Sequence, residues 1–334
     1  MKIVKVSTSN PELSGLFLRQ TAQGLGIWKD CQFFINQPIK RCDWWIVCHY
    51  SGIRISESTI CDPNHIVFIS MEPTDSWIPD AFFKQFNQLV LCDRSISHPN
   101  IHYKNGLTWW IGINVRNENG HHFSSDFTLN YDSLKLLLPP PKQNRISIVC
   151  SNKQAFPGHK KRMAFIEKLR THPICSRIDF FGEGYKTIPD KWEVIAPYKY
   201  HLVLENSVLE NYWTEKLGDA FLGFAYPIYY GCPNISDFFG TKSFSVIDIE
   251  NFDQTVSVLE KILSEDKYSD HVPAIIEARN KVLEDYNIFQ LMTDICKEPA
   301  KSYKKCKLKP ISQIQQSWIV RVKSKIMYHL KKIQ

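Results

Sequence analysis

The feature that most constrains this chain is an alternation. Short, apolar, β-rich runs recur along it, and helical patterns fall between many of them. The runs are Lys2–Val6, Trp44–Cys48, Ile66–Ser70, Leu89–Leu91 and Thr108–Ile111, then Ile146–Cys150, Ile178–Phe181, His201–Leu204, Tyr226–Tyr229 and Phe244–Ile247. Apolar residues at helical spacing mark Lys160–Arg170, Thr214–Phe224, Phe252–Ser264 and Val272–Glu284. Strands that alternate with helices imply an α/β fold with parallel, doubly wound sheets. A chain of 334 residues exceeds what one core usually holds, so two such domains are expected. The stretch LLLPPPKQNR around Pro139–Pro141 breaks the pattern, and a fresh strand follows it. The expected division is therefore 1–143, 144–300 and a tail, 301–334.

Charge is informative once it is located. The net charge is +7, yet residues 301–334 hold ten Lys or Arg and no Asp or Glu. The remainder carries 31 basic against 34 acidic residues. The body is near neutral and the basic character belongs to the tail, which argues against a nucleic-acid partner. The ten cysteines include no Cys-x-x-Cys pair, and several lie inside apolar runs, as Cys48 and Cys150 do. They read as reduced, buried thiols of a cytosolic protein. The start, MKIVKVSTSN, reads as a strand rather than a signal peptide, and no apolar run has the ~18 residues of a spanning helix. Residues 311–333 place Ile311, Ile314, Trp318, Val322, Ile326, Leu330 and Ile333 on one helical face among Lys and Arg. A basic amphipathic helix of this kind suits an anionic membrane surface. Packing on the protein's own body and pairing in an oligomer fit the same pattern.

The stretch richest in chemistry is residues 198–233. His201–Leu204 is an apolar strand that ends abruptly in Glu205-Asn206-Ser207, and a helix begins near Tyr212–Thr214. Ligands of open α/β sheets bind beyond the carboxyl ends of strands. Lys216 would sit in the first turn of that helix, where a cation is unfavourable by ~0.3–1 kcal/mol and a bound anion reverses the sign. Glu215 is suited to a ribose diol. A solvated Glu-Lys pair on an amphipathic helix is the other reading of the same two residues.

The order of residues in this stretch resembles the signature of family 10 glycosyltransferases, the α-1,3/4-fucosyltransferases. The resemblance is carried by Tyr198-Lys199-Tyr200, Leu204-Glu205-Asn206-Ser207, Tyr212-Trp213-Thr214-Glu215-Lys216, the segment Pro227–Pro233, Lys242-Ser243-Phe244 and Asn251-Phe252. Leu204, Trp213 and Tyr230 depart from the family's residues at those positions. The resemblance implies a GT-B fold, two Rossmann-like doubly wound domains facing a cleft, here with the C-terminal basic amphipathic helix added. It implies an N-terminal acceptor-binding domain and a C-terminal domain that binds GDP-fucose through Glu205, Asn206, Tyr212, Thr214, Glu215 and Lys216. Arg162, in HKKRMAFIEKL, matches the family's diphosphate-binding Arg; its alternative is a solvated charge beside Lys160 and Lys161. Gly182 and Gly184 in FFGEG mark a second turn near the donor, or a plain turn.

Inverting transfer needs a base for the acceptor hydroxyl and cations for the departing diphosphate. Glu72, after the strand Ile66–Ser70, resembles the carboxylate of the family's Met/Leu-Glu-Ser-Pro segment and is the candidate base, with Asp75 second. Arg162 and Lys216 suit the diphosphate. No Asp-x-Asp motif is seen, so no obligatory metal or cofactor is expected, and His121-His122 read as surface or core residues. The expected activity is α-1,3-fucosyl transfer to a GlcNAc-containing glycan, free or lipid-linked, in bacterial surface polysaccharide or lipopolysaccharide synthesis. The expected place is the cytoplasm, at the inner face of the membrane. Another nucleotide-sugar donor, and a non-catalytic glycan- or membrane-binding protein on the same fold, are the alternatives.

Overall fold

The computed structural model describes residues 1–11, 13–48, 53–114 and 127–314. They form two compact units. The first comprises Met1–Thr108, Asn130–Asp132 and the described residues from Tyr286 onward; the second comprises Trp109–Leu129 and Ser133–Asp285. His121-His122 and residues 315–333 of the expected tail helix lie outside the described residues.

The first unit opens with β1 (Lys2–Thr8), α1 (Leu13–Leu18), β2 (Ile27–Trp28), β3 (Cys31–Ile35) and β4 (Trp44–Cys48). It continues with β5 (Glu57–Cys61), β6 (Ile66–Ile69), α2 (Asp80–Phe83), β7 (Gln88–Val90) and β8 (Ile101–His102). Seven of these strands make one sheet in the order β2-β3-β1-β4-β6-β7-β8. All its pairings are parallel except β2 with β3. Continuous apolar runs such as WWIVC and IVFI are what a sheet covered on both faces requires, and every residue of β4 and β6 is buried. On one face Phe68 meets Phe82 and Phe83 edge-on, each at 5.7 Å between ring centroids, a favoured aromatic geometry.

Past a short helix, α3 (Tyr131–Leu136), the second unit's sheet begins. It contains β9 (Gln143–Val149), α4 (Pro157–Thr171), β10 (Ile178–Phe181), α5 (Trp192–Ile195), β11 (Tyr198–Leu204) and α6 (Glu215–Leu222). β12 (Tyr226–Tyr230), β13 (Ser245–Val246), α7 (Phe252–Glu265) and α8 (Tyr268–Leu283) complete it. The sheet is wholly parallel, ordered β10-β9-β11-β12-β13, with Leu202 of β11 opposite both Ile148 and Ile228. Lys142, just after the three prolines, donates its ammonium to the carbonyls of Ala196, Tyr198 and Gly223 at 2.5, 3.0 and 2.9 Å. One side chain thus satisfies carbonyls at the ends of α5 and α6.

Each unit is α/β with a doubly wound parallel sheet, as the alternation implied. The boundaries differ from 143 and 300. The second unit begins at Trp109 because the amides of Trp110 and Ile111 turn onto the carboxylate of Asp219, at 3.0 and 3.1 Å. For the same reason the strand expected at Thr108–Ile111 does not form. The chain after 285 returns to the first unit as α9 (Ile288–Ile295), whose Phe289 packs edge-on against Phe33 at 5.0 Å. β14 (Lys304–Leu308) then pairs antiparallel with β5, Cys306 facing Thr59. The first part of the basic tail is therefore a strand, with alternate side chains buried. Ile311–Gln313 forms a single 3-10 turn. All ten cysteines are free thiols, and all but Cys175 are buried.

Candidate functional site

In the second unit the chain passes from β9 outward to β10, then returns to the other side of β9 as β11. This reversal is a topological switch point, the place where open α/β sheets bind ligands. α4 follows β9 and α6 follows β11, so two helix N-termini belong to the two strands that flank it. Helix N-termini carry partial positive charge and free amides. The second loop is pulled close: a Cβ at Gly158, in the first turn of α4, would lie 1.8 Å from the carbonyl oxygen of Asn206. Gly182 adopts φ +108°, and a Cβ there would lie 2.1 Å from the carbonyl oxygen of Cys150. That crowding makes glycine necessary at the end of β10. Gly184 has φ +87° and stands against Asn152.

The start of α6 is set by a buried carboxylate. Glu205, with 1% of its surface exposed, accepts from the amide of Thr214 at 2.8 Å and from its hydroxyl at 2.9 and 2.8 Å. Thr214 is the N-cap, accepting from the amide of Lys216. Lys216 Nζ reaches Glu205 Oε2 at 3.4 Å, Glu215 Oε1 at 3.3 Å and Thr214 Oγ1 at 3.1 Å. Burial pushes the Glu205 carboxyl up, and the Lys216 ammonium pulls it down. Burial disfavours the Lys216 cation, but Glu215 and Glu205 outweigh it and hold the ammonium above its ordinary value. Glu215 is held down at about 2: burial opposes its ionisation, and Lys216 and then Lys191 overcome it. The expected misfit of a cation at a helix start is thus resolved internally, by two carboxylates.

Arg162 lies on α4 with 3% of its surface exposed. It donates to Asn206 Oδ1 at 2.5 Å and to the carbonyl of Ser151 at 3.1 Å. Its Nε is enclosed without a partner among the described residues, and burial lowers its pKa. Tyr212 is buried in the turn before α6. The structure therefore forms two bonded groups, Arg162 with Asn206 and Glu205 with Thr214, Lys216 and Glu215, which adjoin at the Glu205–Asn206 peptide. Glu205 and Thr214 are enclosed and shape the helix start, whereas the half-buried Asn206, Glu215 and Lys216 are accessible.

Two charged residues beside these groups were missed from the sequence. Asp219, fully buried on α6, binds Lys191 Nζ at 2.7 Å as well as the Trp110 and Ile111 amides. The signal was present in LGDAFLGFA, where an acidic residue interrupts an apolar helix face and must find partners. Lys191 and Asp219, with His201 and Lys216, line a small cavity of about 10 Å³, room for about one water.

In the first unit, Glu72 follows β6 and is partly buried. Its amide donates to Ser70 Oγ at 3.1 Å. Ser70 Oγ in turn donates to Asp75 Oδ1 at 2.8 Å. Asp75 is 0% exposed, and its amide donates to Asp93 Oδ2 at 2.8 Å. Burial, helped by Asp93 and Glu72, pushes the Asp75 carboxyl up to about 7 against the Ser70 hydrogen bond. Among the described residues no group of three or more His, Cys, Asp or Glu is placed to hold a metal ion, and no helix is long and apolar enough to cross a membrane.

The model of Glycosyltransferase family 10 (fucosyltransferase) C-term matches residues 139–309, just over half of the chain. The alpha-(1,3)-fucosyltransferase FucT of Helicobacter pylori is 32% identical over 123 residues, 36% of this chain and 25% of that protein. The matched stretch thus spans about a quarter of the relative's length. Crystal structures of an alpha1,3-fucosyltransferase with GDP and with GDP-fucose are each 17% identical. The first aligns over 86% of this chain and 92% of that one at a TM-score of 0.49, the second over 85% and 90% at 0.47. The family match runs from the prolines through β9, α4, β11 and α6, the elements that build the switch-point groups, and the chain belongs to glycosyltransferase family 10, the fucosyltransferase family.

Proposed function

We propose that this chain is an inverting α-1,3-fucosyltransferase that moves fucose from GDP-fucose to a hydroxyl of a GlcNAc-containing glycan. The observation that carries the reading is the coincidence of the family match with Arg162 and Lys216 at the β9–β11 switch point. Two cations, Arg162 and Lys216, stand where the charge of a departing diphosphate is to be stabilised. Glu215, held as a carboxylate, accepts from the ribose diol, and Asn206 and Tyr212 complete the donor site. Glu205 and Thr214 act through Lys216 by fixing the start of α6. No obligatory metal is assigned, since the two cations already take the leaving group's charge.

Glu72 is the proposed base. It removes the acceptor hydroxyl's proton as the oxygen attacks the anomeric carbon, and the bond to the β-phosphate breaks with its electron pair left on the phosphate. Asp75, enclosed and with its carboxyl pushed up to about 7 by burial, holds the Glu72 turn through Ser70. The test is turnover. Purified protein is given GDP-fucose, GDP-mannose or a UDP-sugar with GlcNAc or LacNAc, and GDP or UDP release is followed in EDTA. Fucose transfer from GDP-fucose alone supports the reading; transfer from another donor, or GDP-fucose binding without any turnover, overturns it.

A lipid-linked acceptor at an anionic membrane, and a place in surface polysaccharide or lipopolysaccharide synthesis, are proposed on the sequence pattern of residues 311–333 alone. Co-sedimentation with vesicles containing anionic lipid, lost when Lys323, Lys325, Lys331 and Lys332 are changed to Glu, is the expected result. Sedimentation that the charge reversal leaves unchanged would contradict it.

A further inference from the structure

His159 is a polar side chain at the cationic end of the second sheet that the donor reading does not use. It stands in the first turn of α4, three residues before Arg162. That helix start has no side-chain cap: Phe156 is the N-cap residue, and Pro157 has no N–H to offer. The turn is pressed against Asn206 at Gly158, and the imidazole lies edge-on to Phe156 at 5.5 Å. Among the described residues His159 Nδ1 is enclosed with no hydrogen-bond partner, as is Nε of the 97%-buried Arg162 one turn on. The two lie on one helix face, at a helix start without a side-chain cap.

The charges that face the imidazole are all cations: Arg162 on its own helix, Lys153 in the preceding loop and Lys216 from α6. Burial first, and then these three, hold its pKa below the ordinary value and so favour the neutral imidazole in the free protein. An anion with two negative charges placed among the same groups reverses their combined effect.

We propose that His159 is a third contact for the donor's diphosphate and that it takes up one proton from solvent when the diphosphate binds. The proposal rests on the donor reading above. As the bond between sugar and β-phosphate breaks, the electron pair stays on the phosphate oxygen, and the imidazolium N–H donates to the diphosphate; the acceptor's proton leaves by the separate base. The sign of the linkage follows. The proton is bound more tightly in the complex than in the free protein, so donor affinity falls as pH rises between the free and bound pKa values and is level outside them.

GDP-fucose is the probe, because its diphosphate is esterified at both ends, whereas the terminal phosphate of GDP itself titrates near ~6. Calorimetric titration in two buffers of different ionisation enthalpy counts the protons taken up. Wild-type protein is expected to take up a large fraction of one proton near pH 7 and to lose affinity by up to roughly tenfold per pH unit, the one-proton limit. His159→Gln and His159→Asn, checked for unchanged melting temperature, are expected to bind several-fold more weakly at pH 6, with no proton uptake and a level pH profile. Binding by wild type without proton uptake, or uptake that persists in both variants, overturns the role of His159 and leaves the donor site standing. No binding of GDP-fucose by wild type overturns the donor reading itself.

Discussion

The two sheets end in opposite electrostatic surroundings. Beyond β11 of the second unit Lys216 is paired with Glu205 and Glu215 and Lys191 with Asp219, while Arg162 is held by Asn206 and Ser151. Beyond β6 of the first unit the donors to Asp75 and Asp93 are hydroxyls and backbone amides, from Ser70, Thr74, Asp75 and Ser95. A paired buried cation is already stabilised, and a ligand need only exchange its partners. Of the two first-unit carboxylates, burial pushes Asp75 up to about 7, whereas, against burial, the hydrogen bonds from Ser95, Asp75 and Thr74 hold Asp93 below its ordinary value. The first arrangement suits binding of a polyanion; the second suits proton traffic.

The largest expected effect breaks the comparison on the acid–base side. Glu72→Gln should lower fucosyl transfer about 10²–10⁴-fold while GDP affinity stays at the wild-type value; steady-state turnover with parallel calorimetry checks both. Wild-type-like turnover would remove Glu72 from the mechanism. Next, Lys216→Met should weaken GDP binding by roughly 1.5–3 kcal/mol, the worth of charge-assisted hydrogen bonds, and should destabilise the fold by leaving Glu205 buried and unpaired. Urea denaturation separates the second effect from the first.

Asp75→Asn sharpens the contrast through pH. The folded carboxyl, at about 7, binds its proton more tightly than the unfolded one, near ~3.9. Stability from this group is therefore present below pH 4 and is lost as pH rises toward 7. The variant should flatten that slope and be more stable than wild type at pH 8, on the order of 1–3 kcal/mol, as read by thermal melts across pH. An unchanged slope would place the titration elsewhere. The smallest effect is expected for Thr214→Val, which removes the α6 cap at a cost of about 1 kcal/mol, with a modest loss of GDP affinity.

Much of the second unit was legible in the sequence because its signals are local. Each buried parallel strand is one apolar run, and the turn that follows β11 carries its polar residues within Glu205–Lys216. The pairings that were not legible are distant in sequence. Lys304–Leu308 reads as a basic tail until β5 is beside it, when Cys306 and Leu308 face inward and the lysines face out. Trp109–Ile111 reads as a strand until Asp219, more than a hundred residues on, takes its amides. The same limit applied to the site. Sequence placed Glu205 among the donor contacts, whereas its carboxylate is enclosed and spent on Thr214 and Lys216.

The central claim is that the β9–β11 switch point holds a guanosine diphosphate. It is tested most directly by calorimetric titration of the whole chain with GDP, and then with UDP, in EDTA. Saturable one-to-one binding of GDP with no heat from UDP is the predicted result. Equal binding of both nucleotides, or of neither, would contradict it.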